Sequence, residues 1–252
     1  MNTLSLEQLQ KVPWNGIVNN IRYEPAVEEI PRYLEIPFKK RKEFPLFYSW
    51  FEIIKSIPGN FHRILDFACG GGQIAQILYF KGHKVSACDT NDYFRADKNV
   101  IAFRSPVDGN NIYPYPDNSF DTVICCEAFQ YFDGMLHFIR ESHRILKQGG
   151  RLVISIPNIH SIAGKLGFLI KDELSSYHGK GERYGAQVLY LQSLKQRIEQ
   201  EKFVILEIKG NIPLLSFKYI VVEKAVKLLT KSVELSDVIK WAHSLIIVSE
   251  KI

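Results

Sequence analysis

From residue 60 to residue 160 the chain alternates short apolar runs with segments of helical period. "RILDFA" is an apolar run interrupted by one acid, which predicts a buried strand. "GQIAQILYFKG" follows, with Ile74, Ile77 and Leu78 on one helical face and Gly82 as its stop. "KVSACD" predicts a second strand, "NDYFRADKN" a short helical or turn region, and "VIAFR" a brief third strand. "FDTVICCE", over 120–127, is another apolar strand. In "GMLHFIRESHRILKQGG", Met135, Phe138, Ile139, Ser142, Ile145 and Leu146 fall at helical spacing, predicting a helix that ends on Gly149 and Gly150. "RLVISIP" predicts the next strand. Ahead of these, "PLFYSWFEIIKSIPG" over 45–59 is apolar and bounded by Pro45 and Pro58, as suits a helix packed on a core. Strands alternating with helices of this length build βαβ units, hence an α/β fold with a parallel sheet and helices on both faces.

The pattern loosens at both ends. Residues 1–43 are broken by Pro13, Pro25, Pro31 and Pro37 and predict an irregular or helical extension. Residues 44–252 form the expected domain, with cap insertions at about 157–190 and 211–242. Past Pro157, "NIHSIAGKLGFLIKDELSSYHGKGERYGAQ" joins a short amphipathic helix to a glycine-rich loop carrying Tyr and His. "LYLQSLKQRIEQEKF" predicts a helix, "VILEIKG" a strand, and "SLIIVSEK" a closing strand. Irregular segments on a rigid scaffold are where substrate selection tends to sit.

Composition narrows the class. The 252 residues are 46% apolar and 23% charged, as in a soluble globular protein. No uninterrupted apolar run approaches the ~18 residues of a membrane span, and "MNTLSLEQLQKVPWNG" carries no secretory pattern. Cys69, Cys88, Cys125 and Cys126 lack metal-ligand spacing and read as small buried hydrophobes in a reducing compartment, so the expected location is cytoplasmic. The net charge of +5 is mild, and its one dense basic run is "FKKRKEF" at 38–44. A solvated surface is the favoured reading of that run over nucleic acid or anionic lipid, because no zinc-finger or aromatic-basic signature accompanies it. In "PLLSFKYIVVEKAVKLLTK", Leu214, Phe217, Val221 and Leu228 form a stripe interrupted by Lys224. A lid over the site fits that pattern better than peripheral membrane contact. Oligomeric state is not legible.

The chemistry concentrates in "ILDFACGGGQIAQIL", residues 64–78, where three glycines stand between a strand and a helix. Glycine costs conformational entropy, so three together imply a tight turn or a backbone that must approach a ligand. Gly70-Gly71-Gly72-Gln73-Ile74-Ala75 satisfies G-x-G-x-x-G/A, and Asp89 ends the second strand where it could accept from ribose hydroxyls. On those residues alone a nicotinamide dinucleotide and an adenosyl cofactor are not separable.

The longer stretch resembles the class I S-adenosylmethionine-dependent methyltransferases, in the type 11/23-like branch acting on small molecules, lipids or glycans. The family's hydrophobic-hydrophobic-Asp-x-Gly-Cys-Gly-x-Gly motif reads here Ile64-Leu65-Asp66-Phe67-Ala68-Cys69-Gly70-Gly71-Gly72, with Ala68 in place of the first glycine. "GHKVSACDTND", "YPYPDNSFDTVICCEAFQYF" and "ESHRILKQGGRLVISIPN" resemble three further blocks in the family's order. The resemblance implies a Rossmann-like, doubly wound, mostly parallel seven-stranded sheet with a small helical cap, and S-adenosyl-L-methionine as cofactor. It implies that Asp66 ties down the loop and contacts the cofactor's amino group, and that Ala68, Cys69, Gly70 and Gly72 line the turn. Asp89, beside Thr90, would offer two acceptors to the ribose hydroxyls. Asp108 would accept from the adenine amino group, and Glu127 would line the methionine end.

The implied activity moves the methyl group to an O, N or C nucleophile of a small molecule, glycan or lipid precursor. His178 in "SSYHGKGERYG" is the first candidate base and Glu127 the second, with His160, Tyr177, Tyr184 and Tyr190 weaker; no metal is required. Plainer readings stand beside these. Asp66 would cap a helix, Asp89 would merely end a strand, Asp108 and Asp117-Asn118 would make turns, and Glu127 would be structural. Phe129, Tyr131 and Phe132 read as packing residues, and His137 and His143 as helix-surface or packing residues. Three other functions remain open: an NAD-dependent oxidoreductase, a catalytically silent binding protein of the same fold, and a tRNA or protein methyltransferase.

Overall fold

The computed structural model describes residues 44–59, 62–171, 186–211 and 242–252. In chain order the elements are α1 (Phe44–Lys55), β1 (Arg63–Phe67), α2 (Gln73–Phe80), β2 (Lys84–Cys88), β3 (Ala102–Arg104) and β4 (Phe120–Cys126). A 3₁₀ turn (Phe129–Tyr131) precedes α3 (Met135–Ile145), β5 (Leu146–Pro157), α4 (Ile162–Lys171), α5 (Leu191–Gln200), β6 (Phe203–Gly210) and β7 (Ser244–Lys251). Seven strands form one sheet in the order β3-β2-β1-β4-β5-β7-β6.

Strand alternation sorts the core onto two faces. Ile64, Ile124, Val153 and Ile246 pack with Ile53 and Ile54 of α1 and Ile74, Ile77 and Leu78 of α2. Leu65, Val123, Ile154 and Ile247 pack on the opposite face with Phe138 and Ile139 of α3 and Leu194 and Ile198 of α5. Both faces are covered, which is why the central strands read as near-continuous apolar runs. Phe129 and Phe132 lie in the second cluster against Phe67 and Phe138, so they pack the core.

Two features differ from the expectations. The sheet is parallel except at β7, which runs antiparallel to both β5 and β6. The chain leaves β6 at the edge where it re-enters β7, so no crossover helix is needed between them. The helix expected to reach Gly149 ends at Ile145, and Leu146 already pairs with Phe120 as strand. Ser119 N–H donates to the Ile145 carbonyl at 2.7 Å and Lys251 Nζ to the Leu146 carbonyl at 2.7 Å, taking the acceptors a further helical turn would use. Leu146 is fully buried either way, so its apolar character alone does not distinguish the two states.

The basic run at 38–43 and the 213–231 segment lie outside the described residues. Among the described residues no helix is long and apolar enough to cross a membrane.

Candidate functional site

The carboxyl ends of β1, β2 and β4 meet at the reversal point of the strand order, where open α/β sheets form ligand crevices. The turn leaving β1 has three residues in the left-handed region: Ala68 at φ 56°, Gly70 at 55° and Gly72 at 83°. Gly72 is required twice over, since a Cβ there would stand 2.3 Å from Phe94 Cε2. At Gly70 a Cβ would meet no heavy atom within 4 Å, so the backbone faces open space. Ala68, half-buried, adopts a conformation that suits the glycine its motif position ordinarily carries.

Two carboxylates brace this turn. Asp89 Oδ2 accepts from Gly70 N–H at 2.8 Å, while Oδ1 accepts from Asn91 N–H at 3.1 Å and Thr90 Oγ1–H at 3.3 Å. Each carboxylate oxygen has two acceptor positions, so one position, on Oδ2, remains for a further donor. Asp66 is 1% exposed and its Oδ2 accepts from Ala75 N–H at 3.1 Å, in the first turn of α2. Gly72 offers no side-chain cap to α2, and Asp66 supplies that bond from the neighbouring strand. Burial pushes the Asp66 carboxyl up to about 8, the negative Asp89 adds to the rise, and the Ala75 bond opposes it.

Asp108 follows β3 and is half-buried. Its Oδ1 accepts from Asn110 N–H at 2.8 Å, the turn geometry of the plainer reading. Val107 N–H donates to the Asp89 carbonyl at 2.9 Å, which brings the Asp108 segment beside the end of β2. The loop beyond it is held by Arg144, which sequence reasoning passed over. Its guanidinium donates to the Tyr113 and Tyr115 carbonyls, to both Glu141 oxygens and to Asp117. Asp117 thus makes an ion pair, and Asn118 turns the chain at φ 52°.

Glu127 also stands in the left-handed region, at φ 53°. Its N–H donates to Ser155 Oγ at 2.8 Å, and its Oε1 accepts from Ser49 Oγ–H of α1 at 2.8 Å. A buried polar network continues outward from there. Asn211 Nδ2 donates to Ser49 Oγ at 2.8 Å, and Ser244 N–H donates to Asn211 Oδ1 at 2.5 Å. No motif marks Ser49, Asn211 or Ser244, and none of them was singled out from sequence.

His178, Tyr177 and Tyr184 lie outside the described residues. His160 stands past β5 with its ring 5.2 Å from that of Tyr190, and burial lowers its pKa. His137 Nε2–H donates to the Asn111 carbonyl and His143 packs edge-on against Phe203, both structural placements. Burial drives the thiols of Cys69, Cys125 and Cys126 far above the ordinary range, so none is a thiolate. Among the described residues no three His, Cys, Asp or Glu side chains cluster as metal ligands.

Residues 65–154 match the model of a family described as a methyltransferase domain. The ubiquinone biosynthesis O-methyltransferase of Rickettsia akari (strain Hartford) is 25% identical over 171 residues, 64% of this chain and 68% of that protein. The 27-O-demethylrifamycin SV methyltransferase of Amycolatopsis mediterranei (strain S699) is 30% identical over 101 residues, 36% of this chain and 37% of that one. The chain therefore spans about two thirds of the first relative and little more than a third of the second. In fold, it is similar to an S-adenosylmethionine-dependent methyltransferase from Mesorhizobium loti with a TM-score of 0.58 at 15% identity, covering 81% of this chain and 98% of that one.

Proposed function

The chain belongs to the class I S-adenosylmethionine-dependent methyltransferases, and from that premise we propose that it methylates a hydroxyl oxygen of a small-molecule acceptor. The choice of oxygen and of a small molecule draws on the relatives, one named as an O-methyltransferase of ubiquinone biosynthesis and one as a methyltransferase of a 27-O-demethylrifamycin.

The observation that carries the reading is the glycine turn with its two carboxylates. Gly70 presents open backbone, Asp89 stands at one side of it and Asp66 beneath it. That donor and acceptor set fits the cofactor. On this reading Asp89 would accept from the ribose, Asp66 would face the amino group, and Gly70 would let the adenosyl portion lie against main chain. Asp108 would accept from the adenine amino group, and Glu127 would line the methionine end. Ala68 and Cys69 complete the turn.

When bound, the cofactor supplies a methyl group already activated on a sulfonium. The protein's task is then to hold the acceptor oxygen in line and to exclude water.

Calorimetric titration tests the cofactor assignment. S-adenosylhomocysteine should bind and NADH should give no heat, and Asp89→Ala should weaken the first by about ten- to a hundredfold, as loss of a charged acceptor implies. Binding of NADH alone would sink the proposal. Incubation with methyl-labelled cofactor and a small-molecule extract should yield labelled ethers.

A further inference from the structure

His243 immediately precedes β7 and carries no sequence signature. Because β7 is antiparallel, its first residues lie beside the last residues of β5, with Ser244 paired to Pro157. A residue 116 positions beyond Glu127 is thereby delivered to the same edge of the sheet. The His243 carbonyl accepts from Asn158 N–H at 2.9 Å, and the preceding Ala242 carbonyl accepts from Asn158 Nδ2 at 2.8 Å. The ring contacts Ser244 Oγ through Nδ1 at 3.2 Å. Ser244 in turn is fixed by Asn211, Asn211 by Ser49, and Ser49 by Glu127. Ser49, Asn158, Asn211 and Ser244 are each no more than 1% exposed, whereas His243 and Glu127 are half-buried.

A chain of buried polar groups is expensive unless all are paired, and this one orients two groups that are not fully buried. We infer that His243 is the general base that takes the acceptor's hydroxyl proton, with Glu127 as the charge that supports its protonated form. The inference rests on the methyltransferase reading above. An Nδ1 hydrogen donated to Ser244 Oγ leaves the Nε2 lone pair to accept the proton. The hydroxyl oxygen forms its bond to the methyl carbon, and the carbon–sulfur bond breaks with its electrons returning to sulfur. The products are the methyl ether, S-adenosylhomocysteine and an imidazolium that passes its proton to water.

Burial lowers the His243 pKa and the carboxylate of Glu127 opposes that fall, so the ring is neutral and ready to accept near neutral pH. Ser49 of α1, Asn158 after β5 and Asn211 after β6 contribute neutral side chains to this network.

Two measurements decide the matter. Ring NMR of His243 in the S-adenosylhomocysteine complex should show its titration midpoint fall by about one unit in Glu127→Gln; an unmoved midpoint overturns the pair. With methyl-labelled cofactor and the small-molecule extract, His243→Ala should slow transfer about 10²–10⁴-fold. It should keep the wild-type affinity for S-adenosylhomocysteine, lose the acid limb of the rate profile and regain turnover with added imidazole. A His243→Ala protein as fast as wild type overturns the base assignment alone. A wild-type protein that fails to bind S-adenosylhomocysteine overturns the methyltransferase reading and this one with it. Should His243→Ala fail to fold, His243→Gln carries the same rate comparison, and wild-type turnover in it overturns the base assignment.

Discussion

If Asp66 takes the cofactor's amino group as proposed, its protonation should make cofactor affinity depend on pH. The ligand-free carboxyl is held up to about 8 by burial, with Asp89 adding to the effect. A cationic amino group is attracted to the carboxylate and not to the neutral acid, so binding must expel this proton. With a midpoint near 8, about one molecule in a hundred is competent at pH 6 and about half at pH 8. The apparent Kd for S-adenosylhomocysteine should therefore tighten about fiftyfold between those values. Calorimetry at pH 7 in two buffers of different ionisation enthalpy should register release of about 0.9 proton per site. Asp66→Asn keeps an acceptor for Ala75 N–H but has no proton to lose. Its binding should be weaker and flat over the same range, with no released proton. A wild-type Kd that does not change between pH 6 and 8, or an equal slope in Asp66→Asn, would refute the assignment. Stability follows the same linkage with opposite consequence. The folded protein holds this proton more tightly than the unfolded chain, whose carboxyl titrates near 3.8, so the ligand-free fold loses stability as pH rises from there to about 8. Asp66→Asn should accordingly melt at a higher temperature than wild type at pH 8.

Ala68→Gly should stabilise the fold by about 0.5–1 kcal/mol, because relief of a left-handed alanine slightly exceeds the extra entropy glycine has when unfolded; a urea midpoint that falls would contradict the strain. Arg144→Lys keeps the charge but loses the planar fork that grips Glu141 and two carbonyls, and should cost about 1–2 kcal/mol in urea unfolding. A wild-type midpoint for that variant would show that the loop behind Asp108 is held by other contacts.

The letters determined what neighbours in sequence can determine. Alternating apolar runs gave the strand–helix order, the glycines located the turn, and Asp66 and Asp89 follow from their places at strand ends. Short-range periodicity and turn chemistry act within a few residues, so they survive in a linear reading. Where the two kinds of signal agree, as at Gly72, the turn conformation and the contact with Phe94 both demand the same residue. Leu146 shows the limit, since a buried leucine suits the end of a helix as well as the start of a strand, and only pairing with Phe120 settles it. The reversed direction of β7, the meeting of His243 with the Glu127 network, and the span of Arg144 across its loop belong to the tertiary structure. Each depends on which distant surfaces bury one another, a sum over the whole chain that no local pattern of residues encodes.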